Sequence, residues 1–300
     1  MPRASRDGVS IYSERDGASG TDEADGSIGQ FDGPDTVVFV QGLGYGRWVW
    51  RWQREALRGA YDVCAPDNRG TGRSEDGLNP VVKQLPGRLR RPRIDRFAGY
   101  SIEGMAADLE AVLEHAGVRR AHLVGVSMGG MIATAHAIEY DRATSLTLCS
   151  TSHGGPDAVP IPAETRERIT ATPKGATKRE ILRHRMRPAF TDRFTNRNPH
   201  LMDRIIEWRL EQDADEPVRE AQAAAVLAFD ASDRLDRVRV PTLVIHGSDD
   251  RVLPVANGRL LAEKLPSSRY VEIEGGSHLV CIEAAARVSA ELGAFLEEVA

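Results

Sequence analysis

Gly125-Val126-Ser127-Met128-Gly129 sits between an apolar run, Ala121-His122-Leu123-Val124-Gly125-Val126, and an alanine-rich stretch, Met131-Ile132-Ala133-Thr134-Ala135-His136-Ala137. The run reads as a buried strand and the stretch as a helix, so the five residues mark a tight strand-to-helix turn. A serine at the centre of such a turn is held in a strained backbone conformation with its hydroxyl pushed outward into a cleft. The flanking glycines follow from sterics, because a Cβ at either position would collide with the neighbouring chain. With 28 glycines in 300 residues, the spacing alone is a weak signal. A serine is also a poor nucleophile at its own pKa, so chemistry at Ser127 requires a histidine base and a carboxylate that orients it.

Both are present further along the chain, in the order serine, acid, histidine. Pro241-Thr242-Leu243-Val244-Ile245-His246-Gly247 reads as a strand opening into Ser248-Asp249-Asp250-Arg251. Tyr270-Val271-Glu272-Ile273 reads as another, opening into Gly275-Gly276-Ser277-His278. Ligands of open parallel sheets bind at the carboxyl ends of the strands, so three such loops can converge on one site. On residue type alone, Asp249 and Asp250 are both open as the acid.

Over residues 36–150 and 235–300 the sequence resembles the α/β-hydrolase family. The resemblance rests on the elbow and on four further stretches in the family's order. Val38-Phe39-Val40-Gln41-Gly42-Leu43-Gly44 matches the strand and glycine-rich loop of the oxyanion hole, and 67–74 matches D-x-R-G-x-G-x-S. Gly247 to Pro254 is similar to the acid loop and Gly276-Ser277-His278 to the histidine loop. The resemblance implies Ser127 as nucleophile, His278 as general base and Asp250 as acid, since the family's G-x-x-D spacing selects Asp250 and leaves Asp249 a turn residue. It implies the N–H groups of Leu43 and Met128 as the oxyanion hole. Gln41-Gly42 stands where the family often has His-Gly, which alters the polar wall of the pocket but not the backbone donors. Gln41, Gly42 and Trp48 are the substrate-contact candidates.

The implied fold is α/β, a mostly parallel twisted sheet with helices on both faces and an inserted α-helical cap. Residues 1–152 and 234–300 form the core, with a flexible acidic loop at 16–35 and a basic insertion at 79–98; residues 153–233 form the cap. Within that last segment the strand–helix alternation stops and helical patterns run over 163–171, 178–190, 199–212 and 216–229. The implied activity is hydrolysis of a small-molecule carboxylic ester or lactone through an acyl-enzyme, with no cofactor and no metal. Carbon–carbon hydrolases and cofactor-free perhydrolases use the same triad, an acyltransferase would need a second acceptor site, and a receptor-like binder would keep the residues with little turnover.

Composition agrees with one soluble core: 41% of residues are hydrophobic and the net charge is −5, which points to no nucleic-acid partner. The first eight residues lead into no apolar segment and no run approaches a membrane span, so a cytoplasmic monomer or homodimer is expected. Cys64, Cys149 and Cys281 have no metal-like spacing and read as buried packing residues. Residues 14–35 carry seven acids against Arg15 and read as a surface loop joining two antiparallel edge strands. Residues 79–98 carry six cations against Asp95. This stretch either recognises an anionic substrate or covers the pocket, or else is a solvated insertion paired with the acidic loop. Trp48, Trp50 and Trp52 alternate too closely to share one helix face. His153 reads as an exposed loop residue at the cap entrance, and the remaining histidines, His246 among them, are given no chemistry.

Overall fold

The computed structural model describes residues 3–17, 36–90, 100–171 and 173–300. Eight strands, β1 (Arg3–Arg6), β2 (Val9–Asp16), β3 (Thr36–Val40), β4 (Val63–Pro66), β5 (Ala121–Val126), β6 (Ala143–Cys149), β7 (Thr242–Gly247) and β8 (Ser268–Ile273), form one sheet. Their spatial order is β1-β2-β4-β3-β5-β6-β7-β8. The pairs β1–β2 and β2–β4 are antiparallel, and every pair from β4 to β8 is parallel.

Alternate side chains of the central strands feed two different cores, the period-two consequence of a sheet covered on both faces. Val38, Val40, Leu123, Leu146, Leu148 and Val244 pack with the helices Ile102–His115 and Met128–Glu139. Val37, Phe39, Val124, Val126, Leu243 and Ile245 pack instead with Trp50 and with Val288, Leu292, Phe295 and Leu296 of the helix Ala285–Val299. Each such side chain contributes about 1.5–3 kcal/mol of burial. The helix over Ile102–His115 starts where Ser101 caps it, its Oγ accepting from Gly104 N at 2.9 Å.

One expectation is corrected by the strand order. The segment between β2 and β3 does not join neighbouring antiparallel edge strands, because β4 lies between them: Ser13 to Asp16 pair with Pro66 to Val63. The reason is that all five residues of β3 are buried, so it takes parallel neighbours on both sides and leaves β2 to pair beyond it. Most of the acidic loop, 18–35, and part of the basic insertion, 91–98, lie outside the described residues. Within the rest of the insertion, Lys83 pairs with Asp76 and Asp215, and Arg90 with Glu220, none of them in the acidic loop.

Between β6 and β7 the described chain forms the α-helices Ala163–Thr170, Lys178–Met186, Asp192–Arg197, Pro199–Gln212 and Glu216–Ala228. Asp192–Arg197 has no counterpart in the sequence reading; its signal is Thr191, whose Oγ1 accepts from Phe194 N. The base of this helical insertion closes where Gly154 bridges to Asp230 and Ala231 N donates to His153 O. Among the described residues no helix is long and apolar enough to cross a membrane.

Candidate active site

Ser127 adopts φ 55°, ψ −122° between β5 and the helix that begins at Met128. The flanking glycines are obligatory: a Cβ on Gly125 would lie 2.3 Å from Gly129 O, and one on Gly129 would lie 2.1 Å from Val40 O. Both obstacles are backbone and cannot step aside. The turn is pinned from below by Ser127 N donating to Cys149 O and by Thr151 Oγ1 donating to Ser127 O at 2.7 Å. Ser127 is half-buried, and its hydroxyl carries no hydrogen bond among the described residues.

The loop after β3 lies directly against it. A Cβ on Gly42 would sit 3.3 Å from Ser127 Cβ and 3.3 Å from Val126 O, so a side chain there would press the turn aside by a few tenths of an ångström. Neither Leu43 N–H nor Met128 N–H has an acceptor among the described residues. Met128 opens its helix, so its N–H has no intrahelical partner and stands at the positive end of the helix dipole.

The loops after β7 and β8 bring Asp250 and His278 together. His278 Nδ1 and Asp250 Oδ2 are 2.8 Å apart, and both residues are buried. The other oxygen, Asp250 Oδ1, accepts from Val252 N and Leu253 N at 2.8 Å each. Burial alone would push the Asp250 carboxyl up, but the charge on His278 and hydrogen bonds from His246 and His278 hold it down to about 2. Asp249 is exposed: its backbone N–H donates to Gly276 O at 2.8 Å, and its carboxylate accepts from Ser248 Oγ.

Sequence reasoning passed over His246. Its Nε2 lies 2.8 Å from Leu253 O and 3.2 Å from Asp250 Oδ2, fully buried at the end of β7. Because a carbonyl only accepts, Nε2 carries the proton and can share it with the carboxylate. The available signal was the spacing of four between His246 and Asp250 across the strand's end.

Two substrate-contact candidates are placed elsewhere. Gln41 is fully buried, with Nε2 donating to Pro66 O and its own carbonyl accepting from Asn68, so it ties the ends of β3 and β4 together. Trp48 is buried; its Nε1 donates to Asp213 Oδ1 at 2.9 Å and its ring stacks on Trp208 of the insertion. It braces the insertion against the core, and the cleft it borders, with Glu14, Asp16, Arg47 and Arg54, contains none of Ser127, Asp250 and His278. Of the three tryptophans, Trp50 packs on Phe39 in the core and donates to Val40 O.

His153 is not an exposed loop residue. The bridge at Gly154 encloses it, its Nδ1 meets Gly154 O, and burial pushes its pKa down. Cys281 is fully buried and its thiol is pushed up to about 12 by that burial, so it is inert packing. Among the described residues no cluster of three or more His, Cys, Asp or Glu is placed to hold a metal ion.

A family model described as "alpha/beta hydrolase fold" matches residues 35–285. The chain is 30% identical over 256 residues to a protein of Azorhizobium caulinodans provisionally named carbamate hydrolase RutD, covering 83% of this chain and 86% of that one. It is 26% identical over 261 residues to 3-oxoadipate enol-lactonase 1 of Acinetobacter baylyi, covering 85% and 86%. Among solved structures, the enol-lactonase of Burkholderia xenovorans superposes with a TM-score of 0.76 at 26% identity, over 99% of this chain and all of that one.

Proposed function

Because the chain belongs to the alpha/beta hydrolase fold family, we propose that it is a serine hydrolase cleaving a carboxylic ester or lactone of a small molecule through Ser127, His278 and Asp250. The observation that carries this reading is the 2.8 Å contact between His278 Nδ1 and Asp250 Oδ2, made by a carboxylate whose other oxygen is already held by two backbone N–H groups. Such an acid cannot rotate away, so it fixes the imidazole tautomer with Nε2 bare and basic.

Ser127 Oγ attacks the substrate carbonyl as His278 Nε2 takes its proton, and the contact between them closes when substrate orders the site. The carbonyl oxygen becomes an oxyanion held by Leu43 N–H and Met128 N–H, donors that have no competing acceptor and so reorganise little at the moment of reaction; one such donor is worth about 10²–10³ in kcat. His278 then protonates the departing alcohol, and water, deprotonated by the same imidazole, releases the acid from Ser127. The helical insertion acts as the cap that shapes the acyl pocket.

Hydrolysis of p-nitrophenyl acetate tests the reading. Ser127→Ala is expected to lower kcat by about 10⁴-fold or more, and a p-nitrophenyl phosphonate is expected to leave an adduct on Ser127 by mass spectrometry. Turnover unchanged in Ser127→Ala would overturn it. The relation to the protein named carbamate hydrolase favours a second reading in which the scissile carbonyl is a carbamate's. Ammonia release from an unsubstituted carbamate, faster than acetate-ester cleavage, would select it.

A further inference from the structure

Arg219 stands apart from the other cations of the insertion. It lies on the helix Glu216–Ala228, whose buried face, Val218, Ala221, Gln222 and Ala225, rests on the loops after β3 and β4. One flank of that helix meets Gly44. A Cβ on Gly44 would fall 2.5 Å from Arg219 Nη1 and 3.2 Å from its Cγ, so the glycine, at φ 73°, is what allows the guanidinium to lie across the loop. Neighbouring cations all have acids: Arg209 pairs with Asp213 at 2.7 Å, Arg185 with Glu216 at 2.6 Å and Arg90 with Glu220 at 2.7 Å. The Arg219 backbone N–H donates to Asp215 O at 2.9 Å, but its guanidinium makes no ion pair or hydrogen bond among the described residues.

The site is enclosed yet open to a ligand. Burial, and next the Arg209 cation, push the Arg219 guanidinium below the ordinary arginine value, although the residue keeps part of its surface exposed. Protein on most sides with solvent still in reach is the condition of a side chain lining a cleft. Asp213 is held by Arg209 and Glu216 by Arg185, so among the described residues neither acid is paired with the Arg219 guanidinium, and an enclosed charge without a paired acid is costly unless something neutralises it.

A second unpartnered group stands beside it. Tyr45 is half-buried, its hydroxyl has no partner among the described residues, and its ring lies 5.0 Å from Arg209 Cζ. The same ring reaches to 3.4 Å from where a Gly42 Cβ would sit, the position that touches Ser127. The α-carbons of Gly42 and Gly44 are at most about 7 Å apart. Arg219 and Tyr45 therefore flank the oxyanion loop next to the nucleophile.

We propose that Arg219, assisted by the Tyr45 hydroxyl, is the anion subsite of this pocket, and that the substrate is an ester or lactone whose acyl part carries a carboxylate. This rests on the reading of Ser127 as the nucleophile. One guanidinium without a paired acid suits one carboxylate, and its planar fork matches the two carboxylate oxygens.

Mono-p-nitrophenyl glutarate and p-nitrophenyl valerate differ only in the terminal carboxylate and test the proposal. Wild type is expected to favour the glutarate ester in kcat/KM by about 30-fold; Arg219→Gln is expected to abolish that preference, Tyr45→Phe to lower it about threefold, and Arg219→Lys to recover part of what Arg219→Gln loses. A preference within twofold of wild type in Arg219→Gln overturns the subsite and leaves the hydrolase standing. Calorimetric binding of both esters to Ser127→Ala, with and without Arg219→Gln, separates the two claims. If wild type cleaves neither ester but Ser127→Ala binds the glutarate ester through Arg219, the hydrolase reading falls and the subsite stands. Thermal melting excludes a merely structural role. Removing an uncompensated cation is expected to leave the Tm unchanged or raised, and a lowered Tm with equal losses on both esters counts against the proposal.

Discussion

At Ser127 the backbone holds φ 55°, ψ −122°, outside the regions an L-residue prefers. A strained residue of this kind costs about 1–3 kcal/mol and persists because its surroundings fix it, here through Gly125, Gly129 and the Thr151 hydroxyl. Ser127→Gly relieves that strain, so it is expected to stabilise the fold by about 1 kcal/mol in urea unfolding while eliminating ester cleavage. A variant less stable than wild type would mean the elbow stores no strain. At Asp250 the pKa drops from the ordinary 3.8 to about 2, so the folded state favours the charged form. The stability this supplies is complete above pH 4 and lost as pH falls through about 2, because the unfolded chain takes up its proton first. Asp250→Asn is expected to flatten the fall in stability between pH 4 and pH 2 and to lower kcat about 10³–10⁴-fold by releasing the imidazole tautomer. An unaltered acid limb in the unfolding midpoint would contradict the assignment of that titration to Asp250.

At the scale of elements, the helix Glu216–Ala228 is joined to two core loops by one side chain. Gln222, fully buried, accepts from Gly44 N at 2.7 Å and donates to Arg69 O at 3.1 Å. Gln222→Leu keeps the volume but strands a buried N–H and a buried C=O, which costs about 2–3 kcal/mol. Because Gly44 follows the Leu43 donor directly, kcat is expected to fall more than KM rises. A KM-only effect would show that the bond holds the helix but not the donor. These contacts mark the limit of what the sequence discloses. The elbow, the acid loop and the histidine loop are legible because their glycines and spacing are local. The bond from Gln222 to Gly44 spans 178 residues and leaves no local trace. Thr36-Val37-Val38-Phe39-Val40 reads as a buried strand, but nothing in it says that β4 lies between it and β2. Arg219 is one more arginine on a helix until every neighbour proves to be paired and it does not. His246 reads as a core histidine until Asp250 is found 3.2 Å away.

For the molecule as a whole, the question is whether the helical insertion and the sheet form one cooperative unit. Their junction is polar and deep. Asp213 Oδ1 accepts from Trp48 Nε1 and Gly46 N, while Oδ2 accepts from Arg209 Nε, and both partners of that ion pair are almost wholly buried. Asn257 Nδ2 donates to Val159 O, and its Oδ1 accepts from Val159 N, at the opposite side of the insertion. Leu182, Met186, Ile205 and Ile206 of the insertion share a core with Phe39, Val126 and Ile245 of the sheet. With these buried polar ties and a shared apolar core across the junction, insertion and sheet are expected to unfold in one transition. Near-ultraviolet circular dichroism, to which Trp48 and Trp208 at the junction contribute, and far-ultraviolet dichroism, reporting all helices, should then give coincident urea midpoints. Asp213→Asn leaves Arg209 enclosed without its counter-charge and is expected to cost about 3–5 kcal/mol, moving both midpoints together. An early near-ultraviolet transition followed by a separate far-ultraviolet one would instead make the insertion an independent lid, and access to Ser127 would then depend on local opening rather than on the shape of a fixed pocket.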